Sequence, residues 1–177
     1  MKKTLSAWQV AGFLFTGVAG VLLHFLFDCT GHSALAATFS AVNESIWEHM
    51  KLLFVPMFVF ALVENRFVGK AYKGFWCAKL TGAVLGVVLI PAVYYTIRGI
   101  FGAVPDFVNI AIFFIAAAAA YVVETNLLQE DGADCPSPKS ALATLLLLAA
   151  VFVVLTFVPP HIPIFEDPIT GTYGYQK

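Results

Sequence analysis

Between Leu5 and Phe27 the chain carries no Asp, Glu, Lys or Arg. A helix over that stretch rises about 34 Å, enough to cross the roughly 30 Å hydrocarbon core of a bilayer. In lipid the backbone must satisfy its own hydrogen bonds, so a stretch of this length and character folds as a helix. Four further apolar stretches follow, and hydropathy places spans at about 6–27, 45–65, 79–97, 107–123 and 140–158. Only 12% of residues are charged, against about 25% in a soluble domain, and 60% are hydrophobic. The expected fold is an all-α, polytopic membrane bundle of five transmembrane helices forming one domain over residues 1–177. Short intervals between spans make consecutive helices antiparallel neighbours. The net charge of -1 and the lack of a basic run argue against a nucleic-acid partner. The lipid bilayer is the expected partner, and a second copy of the chain is an admissible one.

Lys2 and Lys3 before an apolar stretch resemble a signal peptide. The stretch is longer than the 7–15 residues of a typical signal core, however, so it reads as a retained first span. Lys2, Lys3, Arg66, Lys70, Lys73, Lys79 and Lys139 fall at one end of the bundle, and Lys51, Arg98 and Lys177 at the other. The positive-inside rule then puts the N-terminus inside and the C-terminus outside. Cys29, Cys77 and Cys135 are far apart and include no CxxC pair, so they read as three unpaired thiols. Small residues recur at four-residue spacing in span 1 (Gly12, Thr16, Gly20) and span 3 (Ala78, Gly82, Gly86), which lets helices approach closely in lipid. The tail, residues 159–177, holds four prolines, so it is non-helical. Its large apolar residues point to a segment folded back over the outer mouth of the bundle.

Span 2 is the exception among the five. Its apolar run, Leu52 to Val63, rises only about 18 Å. The polar residues before it, Asn43, Glu44, Trp47, Glu48, His49 and Lys51, therefore lie at or below headgroup level, where ionisable groups are expensive and usually functional. Ser45-x-x-Glu48 fits a capping box. Trp47 suits an interfacial anchor, and Lys51 a snorkelling or ion-paired lysine. His24 and Asp28 stand one turn apart on span 1 as a His–carboxylate pair. With His161 and Asp167 of the tail, these residues are expected to line one outward polar pocket. Arg98 is expected to pair with Asp106, while Glu64, Asn65, Glu124 and Asn126 cap the inner ends of spans 2 and 4.

Imidazole with carboxylate suits zinc or another divalent first-row metal, with His24, His49, His161 and Glu44 as candidate ligands. Glu44, Glu48 and His49 are the candidate catalytic groups. No HExxH, Ser–His–Asp elbow or phosphate loop is present.

The segment from Val42 to Leu52, Val-Asn-Glu-Ser-Ile-Trp-Glu-His-Met-Lys-Leu, resembles the signature of a family of small, uncharacterised bacterial integral membrane proteins. The Leu23-His24-Phe25 end of span 1 and the tail from Pro159 to Gly174 share the resemblance, which runs essentially end to end. It implies a bacterial cytoplasmic-membrane protein and a domain of unknown function. It also singles out His24, Asn43, Glu44, Trp47, Glu48, His49, Lys51 and Asp167 as signature positions.

Three functions are compatible with these residues. The first is a membrane module that binds or transports a small molecule or ion in the outward pocket. The second is a metal-dependent hydrolase built from the same groups. The third is a structural or partner-binding protein whose polar cluster locks helices together.

Overall fold

A computed structural model describes residues 2–129, 135 and 137–176. The described helices are α1 (Lys2–Cys29), α2 (Ala34–Ala37), α3 (Ile46–Phe67), α4 (Phe75–Phe101), α5 (Asp106–Gln129) and α6 (Pro138–Phe157). All except the short α2, taking α1 from Thr4, are long and apolar enough to cross a membrane, and they coincide with the five expected spans. One 3-10 turn, Gly69–Ala71, links α3 to α4.

The helix ends follow from local chemistry. Ser45 caps α3, its Oγ accepting the Glu48 N–H at 3.4 Å. The reciprocal arm of the expected capping box does not form. The Ser45 N–H is taken instead by Asn43 Oδ1 at 3.0 Å, which releases the Glu48 carboxylate for other partners. Ser137 caps α6, with Pro138 at its first position, where a missing N–H costs nothing. Beyond α1, Gly31 and His32 adopt positive φ (65° and 61°) and reverse the chain.

α3 is the most enclosed of the five long helices, and it packs on α1, α4 and α6. Leu52, Leu53, Phe54 and Met57 from its face meet Ala116, Ala117 and Ala120 of α5 and Phe152 of α6 in the core. The close approach of α1 depends on Gly20. A Cβ there would stand 2.6 Å from Phe113 Cζ and 3.3 Å from the Leu52 carbonyl oxygen. That carbonyl lacks its helical donor, because the residue one turn on is Pro56. α1 therefore lies where α3 exposes an unclaimed acceptor. Gly82 does the same for α4, since a Cβ there would collide with the Glu124 side chain.

α4 begins earlier than expected, so Lys79 lies within it and is buried rather than at the membrane border. The reason is neutralisation. Lys79 Nζ is 2.6 Å from Glu64 Oε2 and 2.6 Å from Glu124 Oε2. Gln9 of α1 donates to Glu64 Oε1 at 2.7 Å. Glu64 and Glu124 are thus partners in a buried charge cluster, not caps. Lys51 is also buried, so neither lysine is an exposed charge. One leaves each side of the orientation tally, and the bias keeps its sign.

The expectation of three unpaired thiols is overturned. Cys77 and Cys135 form a disulfide with Cα atoms 5.7 Å apart, and Cys29 is the free, exposed cysteine. Separated by 58 residues in sequence, the two meet because α4 and α6 pack together.

The tail folds back over one end of the bundle, as its apolar residues require. Trp47 N–H donates to Ile164 O at 3.0 Å, and Tyr175 N–H donates to Thr156 O at 2.8 Å. Phe165 is buried against Trp47. An antiparallel bridge joins Glu166 to Tyr173. The Tyr173 phenol is pushed above its ordinary value by desolvation and then by the Glu166 carboxylate.

Candidate functional site

Three of the singled-out residues converge. His24 projects from the last turns of α1, about 8 Å of helix rise before its end. Glu44 comes from the loop before α3, and His49 from the first turn of α3. His24 Nε2 lies 3.4 Å from Glu44 Oε1, and His49 Nε2 lies 3.6 Å from Glu44 Oε2. One ligand atom from each residue can be chosen so that all lie within 4.8 Å of one another. The side chains are 28%, 41% and 16% exposed respectively, so the cluster is half-enclosed with Glu44 at its mouth.

The orientation of His49 is set by its backbone. His49 Nδ1 is 2.9 Å from the Ser45 carbonyl oxygen, which can only accept, so Nδ1 carries the hydrogen. In the neutral ring Nε2 then presents a lone pair toward Glu44. Two acceptors facing each other call for a cation between them, either a proton or a metal. A carbonyl behind a histidine is also the usual device for orienting a metal ligand.

The cluster opens on a cavity of about 350 Å³ lined also by Asp106 and Asn109 of α5 and by Ile169 of the tail. The tail thus reaches the pocket through Ile169, which is otherwise largely exposed. Its apolar wall includes Val21, Phe25, Ile110 and Phe114, which also face outward from the bundle.

The other candidates lie elsewhere. Asp28 pairs with His32, not His24, at 3.2 Å on the surface. The reversal at Gly31 and His32 brings that ring back over α1, stacked on Phe27 at 4.8 Å, while His24 turns toward Glu44. Glu48 and Lys51 face the interior. Lys51 Nζ is 2.6 Å from Glu48 Oε2 and donates to Thr156 Oγ1 at 2.7 Å and Ala37 O at 3.0 Å. All three ammonium hydrogens are used, so Lys51 neither snorkels nor lines the pocket. The remaining Glu48 oxygen accepts from Thr156 Oγ1 at 2.9 Å. This pair ties α3 to α6 and to α2.

Trp47, expected as an interfacial anchor, is half-buried within the chain. Its ring packs between Phe152 and Phe165 at 4.6 Å from each, beneath the tail. Asn43 ties the loop together, and its Nδ2 reaches Gly174 O at 3.5 Å. His161 packs edge-on against Tyr173 at 4.6 Å within the tail. Asp167 closes the tail turn, its Oδ1 accepting from Ile169 N–H at 2.8 Å. Arg98 lies over the Tyr94 ring and donates to its hydroxyl at 3.4 Å, so the expected pair with Asp106 is replaced by one on the same helix.

The buried Glu64–Lys79–Glu124 cluster escaped sequence reading as a unit. The available signal was three ionisable residues near one end of three successive spans, one of them three residues before the small residue Gly82. Asn109 also went unnoticed, because an amide in the first turn of an apolar helix has no distinctive spacing.

Comparison with curated proteins and with solved structures finds no match. A sequence model of a family of unknown function, DUF6512, matches residues 1–175, and the chain belongs to that family.

Proposed function

We propose that this membrane protein binds a divalent first-row metal ion of the zinc class through His24, Glu44 and His49, and uses it for hydrolytic chemistry. The observation that carries the reading is the convergence of these three ligands beside a cavity, with His49 Nε2 presented by its bond to Ser45. Two imidazoles and a carboxylate, with a fourth position left open, form the ligand set of hydrolytic zinc sites. When bound, such an ion lowers the pKa of a coordinated water to about 7. Glu44 then serves as a ligand, and Asp106 is the remaining carboxylate at the cavity. Glu48 plays no part, being held by Lys51.

Binding at one face fits better than a passage through the bundle. Between this site and the Glu64–Lys79–Glu124 cluster the interior is filled by Leu53, Phe54, Met57 and Phe60. We place the metal site outward and the N-terminus inside, on the Lys/Arg bias.

The test is metal analysis of purified protein loaded with zinc in detergent and then passed through a desalting column. About one zinc per chain is expected. It should be lost in His24→Ala, His49→Ala and Glu44→Gln and kept in Asp28→Asn and His161→Ala, with helical circular dichroism unchanged. Wild-type protein that retains no zinc would overturn the reading.

A further inference from the structure

The metal reading leaves the cavity itself unexplained. Its polar end holds His24, Glu44, His49, Asp106 and Asn109, and its other wall is Val21 and Phe25 of α1 with Ile110 and Phe114 of α5. These four apolar residues are 48%, 57%, 58% and 36% exposed, on the two helices that flank the opening. In a membrane bundle an exposed apolar helix face is a lipid face, so the cavity wall continues without a break onto the surface that lipid chains touch. A water-soluble ligand would gain little from such a wall. An acyl chain would lie along it.

Two observations describe the head of that ligand. The first is charge. Glu44 and Asp106 together balance one divalent ion, so the metal-loaded cavity is neutral and gives no advantage to an anionic phosphate head. The second is Asn109, whose Oδ1 is buried and accepts no hydrogen bond from the described residues. A buried acceptor without a donor is costly, and a rotation of the Asn109 side chain, which lines the cavity, would present it to a ligand hydroxyl or amide N–H. A carbonyl oxygen beside that donor would reach the open metal position. The cavity, about 350 Å³, lies within the range of small-ligand sites and accommodates such a head with the first part of a chain.

We propose that the cavity takes a neutral acyl amphiphile from the bilayer, entering sideways between α1 and α5, with its hydroxyl on Asn109 and its carbonyl at the His24–Glu44–His49 metal. The inference rests on the metal reading above for the carbonyl contact, and on the cavity wall and Asn109 for the rest. Ile169 of the tail, which lines the same cavity and is otherwise largely exposed, would meet the head from the water side.

The experiment uses full-length protein in phosphatidylcholine nanodiscs with zinc and a monoacylglycerol bearing a diazirine on its acyl chain. After illumination, mass spectrometry maps the adducts. Zinc content is measured on the same samples. The expected result is labelling concentrated on residues 20–25 and 110–114 and displaced by unlabelled monoacylglycerol. Phosphatidic acid should not displace it at the same concentration. Ile110→Trp, which fills the entry, and Asn109→Leu, which removes the acceptor, should each lower the displaceable labelling about tenfold, the factor that corresponds to one hydrogen bond or contact of 1.4 kcal/mol. Both variants should keep the wild-type zinc content.

Labelling spread evenly over all lipid-facing helices, or unaffected by Ile110→Trp, would overturn the proposal while leaving the metal site intact. Equal displacement by phosphatidic acid would overturn the neutral head. Displaceable labelling of the groove in a protein that holds no zinc would overturn the metal reading and the carbonyl contact, and support the groove alone.

Discussion

His49 Nδ1 lies 2.9 Å from the Ser45 carbonyl oxygen one turn earlier, so the residue that caps α3 also sets the histidine ring. The capping bond fixes where α3 begins, and the ring bond fixes which nitrogen faces Glu44. The site is therefore partly assembled by the start of one helix. His24 and the wall of α1 complete it. This arrangement leads to several measurable consequences.

Cobalt(II) in place of zinc should report the ring geometry directly. Ligation through Nε2 leaves the Nδ1 hydrogen held by Ser45 and slow to exchange with water. A hyperfine-shifted, exchangeable imidazole proton is expected in the wild type and should vanish in His49→Ala. Ligation through Nδ1 would instead leave the hydrogen on Nε2, without the Ser45 carbonyl to hold it, and the signal would broaden by fast exchange with water.

Breaking the Glu48–Lys51 pair should unfold the bundle without acting first on the metal. Both groups are fully buried, at 1% and 0% exposure. Lys51→Ala leaves an uncompensated buried carboxylate and should cost about 3–5 kcal/mol. Glu48→Leu combined with Lys51→Met removes both charges and should recover most of that loss. Unfolding in mixed micelles by titration with dodecyl sulfate measures the difference. The double variant is expected to retain zinc, because neither residue reaches the His24–Glu44–His49 cluster.

The contact between Gly20 and the Leu52 carbonyl sets the distance between α1 and α3. Gly20→Val should push α1 away from Phe113 and Leu52 and cost about 1–3 kcal/mol through overpacking. His24 lies one turn beyond Gly20, so the same change should weaken zinc binding. A variant at Gly99, where a Cβ would meet nothing within 4 Å, is the matched control and should change neither quantity.

The cysteines can decide the orientation. Cys29 is free and exposed at the site end of the bundle, and Cys77–Cys135 lies at the other. With the N-terminus inside, a membrane-impermeant maleimide should label Cys29 in intact cells. Cys77 and Cys135, bonded to each other, should react with maleimide only after both permeabilisation and reduction. Labelling of Cys29 that requires permeabilisation would reverse the topology and place the disulfide in an oxidising compartment.

Much of the fold was legible because lipid leaves few choices. Without water to satisfy the backbone, long apolar stretches become helices, so the five spans could be read before their contacts were known. The tail was legible for a related reason: its prolines exclude a helix and its apolar residues need cover. The candidate site was legible only in part. Glu44 and His49 stood out because no capping or anchoring role explained them, and the structure brings them together with His24. Glu48 and Lys51 carry the same kinds of group three residues apart, yet their side chains turn inward to Thr156 of α6. Asp28 found a nearer partner in His32 once the chain reversed at Gly31.

The sequence by itself determined where this chain makes helices and which residues are too polar to lie idle in lipid. Both follow from the local free energy of each segment in an apolar solvent. Only the tertiary structure decided which polar residue meets which. That pairing depends on how closely the helices approach, set here by Gly20 and Gly82, and on the rotation each helix takes about its axis. The same chemical groups therefore became a buried brace at Glu48–Lys51, a charge cluster at Glu64–Lys79–Glu124, and an open three-ligand cluster at His24–Glu44–His49.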